Sequence, residues 1–191
     1  LAVELKYADG IFVQGSTRGD GSIGEDVTQN LKTIEAIPLK LEGTPPKEVY
    51  IRGEVYLTKK EFERINKEQA KKGGKIYANP RNIAAGSIRQ LDSRIAAGRK
   101  LNFYAYGIVG ADISTKSEEY KTLNKWGVGT NPHGQVVRSI NEIQSLRDKW
   151  EKEREKLDYE IDGVVVSVND NRLYENDGIT GKAPRGGIAY K

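Results

Sequence analysis

Apolar and polar side chains alternate along LAVELKY, residues 1–7, with the period of a half-buried strand. Ala8-Asp9-Gly10 supplies turn chemistry and IFVQGST repeats the strand pattern, which predicts a hairpin. Ile23, Val27 and Leu31 fall at helical spacing and predict a short helix. EVYIRGEVYL, residues 48–57, is rich in β-branched and aromatic residues and reads as a strand. Thr58 with Glu61 forms a capping box for a helix carrying Phe62 and Ile65, which Gly73-Gly74 end. Asn79-Pro80 reads as a cap and a first helical residue, so a helix should run from near Arg81 to about Asp92. KLNFYAYGIV is a further strand. Tyr120, Leu123 and Trp126 mark a helix closed by Gly127. Ser139 and Glu142 cap another, whose stripe of Ile140, Ile143, Leu146 and Trp150 predicts an apolar face reaching about Leu157.

YEIDGVVVSVNDN, residues 159–171, reads as a strand with a valine core and polar ends. The remainder is loop-like, with a last strand expected at Gly187–Lys191. Strands and helices are interspersed and several connections look like hairpins. These features predict an α+β fold with mainly antiparallel sheet rather than a doubly wound parallel one. No repeat or low-complexity linker divides the chain, so residues 1–191 read as one domain.

Composition narrows the chemistry. The 191 residues contain no cysteine, which excludes disulfides, thiolate metal sites and cysteine nucleophiles within them. The single histidine, His133, reads as a solvated loop residue. No apolar run approaches the ~20 residues of a membrane-spanning helix. There is no methionine and residue 1 is leucine, so the expectation is an internal piece of something longer. Charge is unevenly spread: residues 71–100 hold eight basic side chains against Asp92 alone, whereas residues 1–30 hold five acids against two bases. Such a basic cluster is either a solvated face or the footprint of a polyanion.

Four stretches can carry chemistry. TRGDGSIGED sets Arg18 among glycines that permit close backbone approach to a ligand, or simply make a turn. In IRGEVY, Arg52 and Glu54 share a strand face and could pair with each other, or Glu54 could accept from a ligand hydroxyl. In NPRNIAAGSIRQLDSR, a single helix would set Arg89 ~12 Å beyond Arg81 along the axis and about 80° around it. Two arginines near a helix N-terminus suit a phosphate, or a structural ion-pair role. Asp162, ahead of the valines, could bind a divalent cation or cap the Asp162-Gly163 turn.

Taken in order, TRGDG, IRGEV, NPRNIAAGSIRQLD, FYAYG, EIDGVVV and KAPRGGIAYK resemble the adenylation domain of bacterial NAD-dependent DNA ligases along the whole chain. The resemblance implies a nucleotidyltransferase-like fold of antiparallel sheets flanked by helices, with AMP in the cleft. It implies an enzyme that forms an AMP-lysine intermediate from NAD, passes AMP to the 5′-phosphate of a DNA nick and seals it with the 3′-hydroxyl, in replication and repair. By matching motifs, Glu54 should meet the AMP ribose and Tyr106 should stack on adenine. Asp162 should serve Mg2+ or the leaving-group charge, and Lys191 the AMP phosphate. Arg81 and Arg89 should hold the nick 5′-phosphate, with Arg18 in the nucleotide site and Arg154 on DNA. The implied partners are NAD, nicked double-stranded DNA and further ligase domains, in a monomeric, cytoplasmic, nucleoid-associated protein without a membrane.

Three departures stand out. The family's nucleophile is the lysine of a Lys-x-Asp-Gly motif, expected just before Leu1 and absent here. Lys6-Tyr7-Ala8-Asp9-Gly10 mimics it with one residue too many, and Lys6 reads as an exposed hairpin residue. Ser167 and Gly186 stand where the family commonly has lysine and tryptophan. Lys182 is a candidate substitute for the lost cation, with Ser167 itself in the nucleotide site. These departures leave a second reading open, a non-catalytic nicked-DNA-binding module with a decayed nucleotide site.

Overall fold

The computed structural model describes residues 1–19, 24–176, 178–180, 183–184 and 186–190. The predicted hairpin is β1 (Ala2–Ala8) and β2 (Ile11–Thr17), turned by Asp9 and Gly10 with φ of 48° and 76°. Both turn residues are left-handed, the geometry whose twist matches the flanking strands. β3 (Glu48–Tyr56) lies beside β1, and β4 (Asn102–Val109) beside β3. The order is β2-β1-β3-β4, antiparallel throughout, as the α+β reading requires.

Alternation decides which face is core. Val3, Leu5, Tyr7, Phe12, Val49, Ile51, Val55 and Phe103 point inward and are buried. Gly53 sits among them because a Cβ there would lie 2.1 Å from Phe103 Cζ. The layer over this face comes from α1 (Thr28–Leu31), α2 (Lys59–Lys71), α3 (Pro80–Ile88) and α5 (Lys116–Lys125), through Leu31, Ile65, Ile83, Ile88 and Leu123. Each such side chain, fully removed from water, contributes about 1.5–3 kcal/mol. Thr58, Asn79 and Ser139 cap helices as expected, and Thr115 caps α5 as well, each accepting a backbone N–H from three residues on.

Two helices differ from expectation. α3 stops at Ile88 instead of running to Asp92. The buried Asn30 amide donates to the carbonyls of Ile88 and Gln90 at 2.6 and 2.8 Å, taking acceptors a longer helix would use. Asp92 then caps a separate short helix, α4 (Ser93–Ala97), accepting from Arg94 N–H. The second is α6 (Ile140–Glu153), which stops before a 3-10 turn at residues 154–156 and buries none of its residues. Its expected apolar stripe is only half-covered: Ile140 is exposed, and Ile143, Leu146 and Trp150 are half-buried.

The valine run is also corrected. β5 spans only Val164–Ser167, and Val165 is 76% exposed. Among the described residues β5 pairs with β8 (Gly187–Tyr190) alone, so its valines edge a two-stranded ribbon and stand outside the main core. Between them lie α7 (Asn171–Asn176) and the paired β6 (Ile179–Thr180) and β7 (Ala183–Pro184). Polar bonds moor the ribbon to the start of α5. Asn169 accepts Lys116 N–H through its carbonyl and Ser117 N–H through its side chain, while the Asn171 side chain donates to Ile113 O at 2.7 Å. Among the described residues no helix is long and apolar enough to cross a membrane.

Candidate active site

The outward face of the four-stranded sheet is polar. Arg52 and Glu54 share it, but they do not pair with each other. Arg52 Nε donates to Glu4 Oε2 at 2.7 Å, and Glu4 is its partner across the β1–β3 register. Glu54 keeps nearly half its side-chain surface exposed. Beyond Glu54 the face becomes aromatic: Tyr56 stacks on Tyr104 at 5.0 Å and both rings approach buried Tyr159.

Tyr106 lies at a bulge. In the β3–β4 register Arg52 opposes Gly107 and Gly53 opposes Ala105, so Tyr106 is the extra residue. A bulge kinks the strand and re-aims one side chain. Alternation from Phe103 and Ala105 turns Tyr106 outward, 44% exposed, and the break shows just after it, where Gly107 and Ile108 are both buried. Loss of hydration pushes the Tyr106 phenol above its ordinary value; Glu54's charge adds to this, while Arg18 and Arg52 oppose it. Glu54, Tyr106, Arg52 and Arg18 thus share one electrostatic environment. Arg18 follows β2 directly, its N–H donating to Ala2 O at 3.3 Å.

The ribbon half approaches this face through Tyr174 of α7. Burial raises the Tyr174 phenol above its ordinary value, Glu119's charge adds to this and Arg52 opposes it, while Tyr174 acts in turn on the phenol of Tyr106. Gly186 packs beneath Tyr174: a Cβ there would lie 2.6 Å from Tyr174 Cδ2. Tyr174 therefore holds the space a tryptophan at 186 would need. Ser167 is exposed, opposite Gly187 in the β5–β8 register, with no bulge in that pairing. Asp162 is exposed just ahead of β5, before Gly163 at φ 155°. Arg154 steadies this turn, its Nη2 donating to Ile161 O at 3.0 Å. Lys191 and Lys182 lie outside the described residues.

The two motif arginines differ in their surroundings. Arg81 is exposed in the first turn of α3 and makes no ion pair with the described residues. Arg89 caps that helix and donates through Nε to Glu25 Oε2 at 2.6 Å. Glu25 is itself pinned to the end of β2 by two bonds with Thr17. One member of the basic cluster is thus tied to the acidic N-terminal segment.

Lys6 is partly covered rather than exposed. It pairs with Glu48 at 2.8 Å, and its bond to Glu48, then that to Tyr50, raises its pKa. A nucleophilic lysine needs the opposite shift. His133 is exposed as expected, its ring 4.6 Å from that of Trp150. Among the described residues no three His, Cys, Asp or Glu side chains cluster as metal ligands. One exposed carboxylate such as Asp162 still fits magnesium, which commonly takes one or two protein carboxylates together with substrate phosphates.

Sequence reasoning missed Asn30, Glu119 and Tyr174. Asn30 is legible only as a polar residue next to an apolar helix position. Glu119 looks like an ordinary first-turn acid of α5, and Tyr174 lies in the segment expected to be loop.

The chain matches the NAD-dependent DNA ligase adenylation domain family over residues 1–191. It is 49% identical to the DNA ligase of Bacillus cytotoxicus and 48% identical to those of Bacillus thuringiensis and Bacillus cereus, over 194 aligned positions. Each alignment covers all of this chain, which spans 29% of the length of those relatives.

Proposed function

The chain belongs to the NAD-dependent DNA ligase adenylation domain family, and from that premise we propose that it is the partial adenylation core of a longer, multidomain DNA ligase. A neutral lysine attacks the adenylyl phosphorus of NAD, forming a P–N bond as the P–O bond to nicotinamide mononucleotide breaks. A 5′-phosphate oxygen at a nick then attacks the same phosphorus and lysine leaves. The 3′-hydroxyl finally attacks the activated 5′-phosphorus, AMP departs, and the strand is sealed. Lys6 is a poor nucleophile for the first step, being ion-paired with a raised pKa. The nucleophile is therefore assigned to a Lys-x-Asp-Gly lysine that is not among these 191 residues.

The observation that carries this reading is Tyr106, exposed on the polar sheet face that Glu54 shares and close enough to feel its charge. An exposed ring suits adenine stacking, and a carboxylate beside it suits the ribose hydroxyls. Arg18 and Ser167 border the same nucleotide, and Lys191 is assigned to its phosphate. Arg81 and Arg89 hold the nick 5′-phosphate, with Arg154 beside the DNA; Arg89 can turn from Glu25 to a stronger anion. Mg2+ held by Asp162 with the substrate phosphates would supply charge neutralisation. The protein works as a monomer on nicked DNA in the cytoplasm, at the nucleoid.

Incubation with adenylate-labelled NAD tests the reading. The 191-residue chain should take up no label, and a chain extended to include Lys-x-Asp-Gly should become labelled. Label at Lys6 overturns the assignment of the nucleophile. No label on the extended chain favours the second reading, a non-catalytic nicked-DNA-binding module, for which Ser167 and the Tyr174-filled site at Gly186 are the specific motive.

A further inference from the structure

We infer that Glu119 is a positioning residue for Tyr106, a claim that rests on the reading of Tyr106 as the adenine platform. β4 is an edge strand, with β3 on one side only. Its free edge is covered at two points. Ala105 N–H donates to Gly129 O at 2.9 Å, and Ile108 N–H donates to Glu119 Oε2 at 3.1 Å. The two bonds bracket Tyr106-Gly107, the bulge itself. A bulge loses ladder bonds locally, so its conformation depends on what holds the backbone to either side.

Glu119 is an unusual choice for that task. It is 3% exposed, and a buried carboxylate is costly unless paired and hydrogen-bonded. Both oxygens are satisfied. Oε2 takes Ile108 N–H and Oε1 takes Lys116 Nζ at 2.8 Å. Lys116 Nζ in turn sits 4.4 Å from the centre of the Tyr174 ring, within cation–π range. The carboxylate therefore fixes the bulge on one side and, through Lys116, the aromatic ring of α7 on the other. The N-terminal turn of α5 that carries Lys116 and Glu119 is the same turn that moors the ribbon through Asn169. The backbone beside Tyr106 and the Tyr174 ring are thus tied to one partly buried ion pair that need not touch the nucleotide.

A double-mutant cycle in the full-length, deadenylated protein tests this, with AMP affinity read by calorimetry. Tyr106→Ala should weaken AMP binding about tenfold, the scale of one lost base-on-ring stack. Glu119→Ala should weaken it by a similar factor, and should cost nothing further in the Tyr106→Ala background. Glu119→Gln keeps an acceptor for Ile108 N–H without the charge that Lys116 holds, so it should weaken AMP about threefold, again only while Tyr106 is present. A merely structural Glu119 would lower affinity equally in both backgrounds; additive losses overturn the inference. No loss from Glu119→Ala where Tyr106→Ala weakens binding overturns it alone. AMP affinity unmoved by Tyr106→Ala defeats the platform reading beneath it. If Glu119→Ala does not fold, the same cycle with Glu119→Gln decides, coupling supporting the inference and additivity overturning it.

Discussion

The four-stranded sheet and the β5–β8 ribbon are both antiparallel β-structure, yet they are held in opposite ways. The sheet buries one face and leaves the other polar, and its core fixes the backbone on which Glu54 and Tyr106 stand. The ribbon has two short strands and valines in contact with solvent. Two strands alone are marginal in water. Polar bonds at the ribbon's base do the work that packing does in the sheet. The contrast shows that candidate site residues in one chain can rest on very different mechanical foundations.

Core truncation is the sharpest way to break the comparison. Ile51 is fully buried at the centre of the sheet, and Ile51→Ala should cost about 2–5 kcal/mol in urea unfolding. Val165→Ala removes two methyl carbons from a side chain already in water and should change stability by no more than about 0.5 kcal/mol. Comparable losses at the two positions would mean that the ribbon has a core of its own.

A middle-sized effect should separate the halves directly. Asn171→Ala deletes the bond to Ile113 O and should cost about 1–2 kcal/mol, part of it from the carbonyl left unpaired. Amide exchange should quicken in β5 and α7 while β1 and β3 keep their protection. Uniform quickening would show that the ribbon and the sheet unfold as one unit.

The same contrast explains which features are legible in the residues alone. Alternation such as LAVELKY and EVYIRGEVY names a buried face by itself, so it carries the sheet, its hairpin and the shared face of Arg52 and Glu54. Caps are equally plain, because Thr58, Asn79 and Ser139 act on residues three places away. The valine run misleads because an unbroken apolar stretch carries no facial information, and its burial depends on partners distant in sequence. The helix through Arg89 misleads for the same reason: Asn30, about sixty residues earlier, ends it. At the site, residue types are legible and their arrangement is not. Arg52 finds Glu4 across the sheet instead of Glu54, Arg89 finds Glu25, and the bulge under Tyr106 emerges only once β3 and β4 are in register.

The smallest effect concerns the loop that carries Glu25 and Asp26 from β2 into α1. Here the sheet half uses a polar latch of the kind that moors the ribbon. Asp26 Oδ1 accepts both the Thr28 hydroxyl at 2.6 Å and the Thr28 N–H at 2.9 Å, while Thr28 Oγ1 accepts Gly15 N–H at 2.9 Å. The Thr28 hydroxyl first, then its N–H, holds the Asp26 carboxyl below the ordinary 3.8. A carboxyl depressed in the folded state contributes stability that is fully present above 3.8 and is lost as pH falls through its lowered value. Asp26→Asn keeps an acceptor oxygen and drops the charge. Near neutrality it should be less stable than the parent by under about 1 kcal/mol, because Asp26 is exposed and water screens the contact. The gap in urea midpoints should hold from neutrality down towards pH 4 and close below it. A gap that stays open at pH 2 would mean that the latch works by shape alone. In that case the sheet half would owe nothing to charge at the one loop where it most resembles the ribbon's mooring.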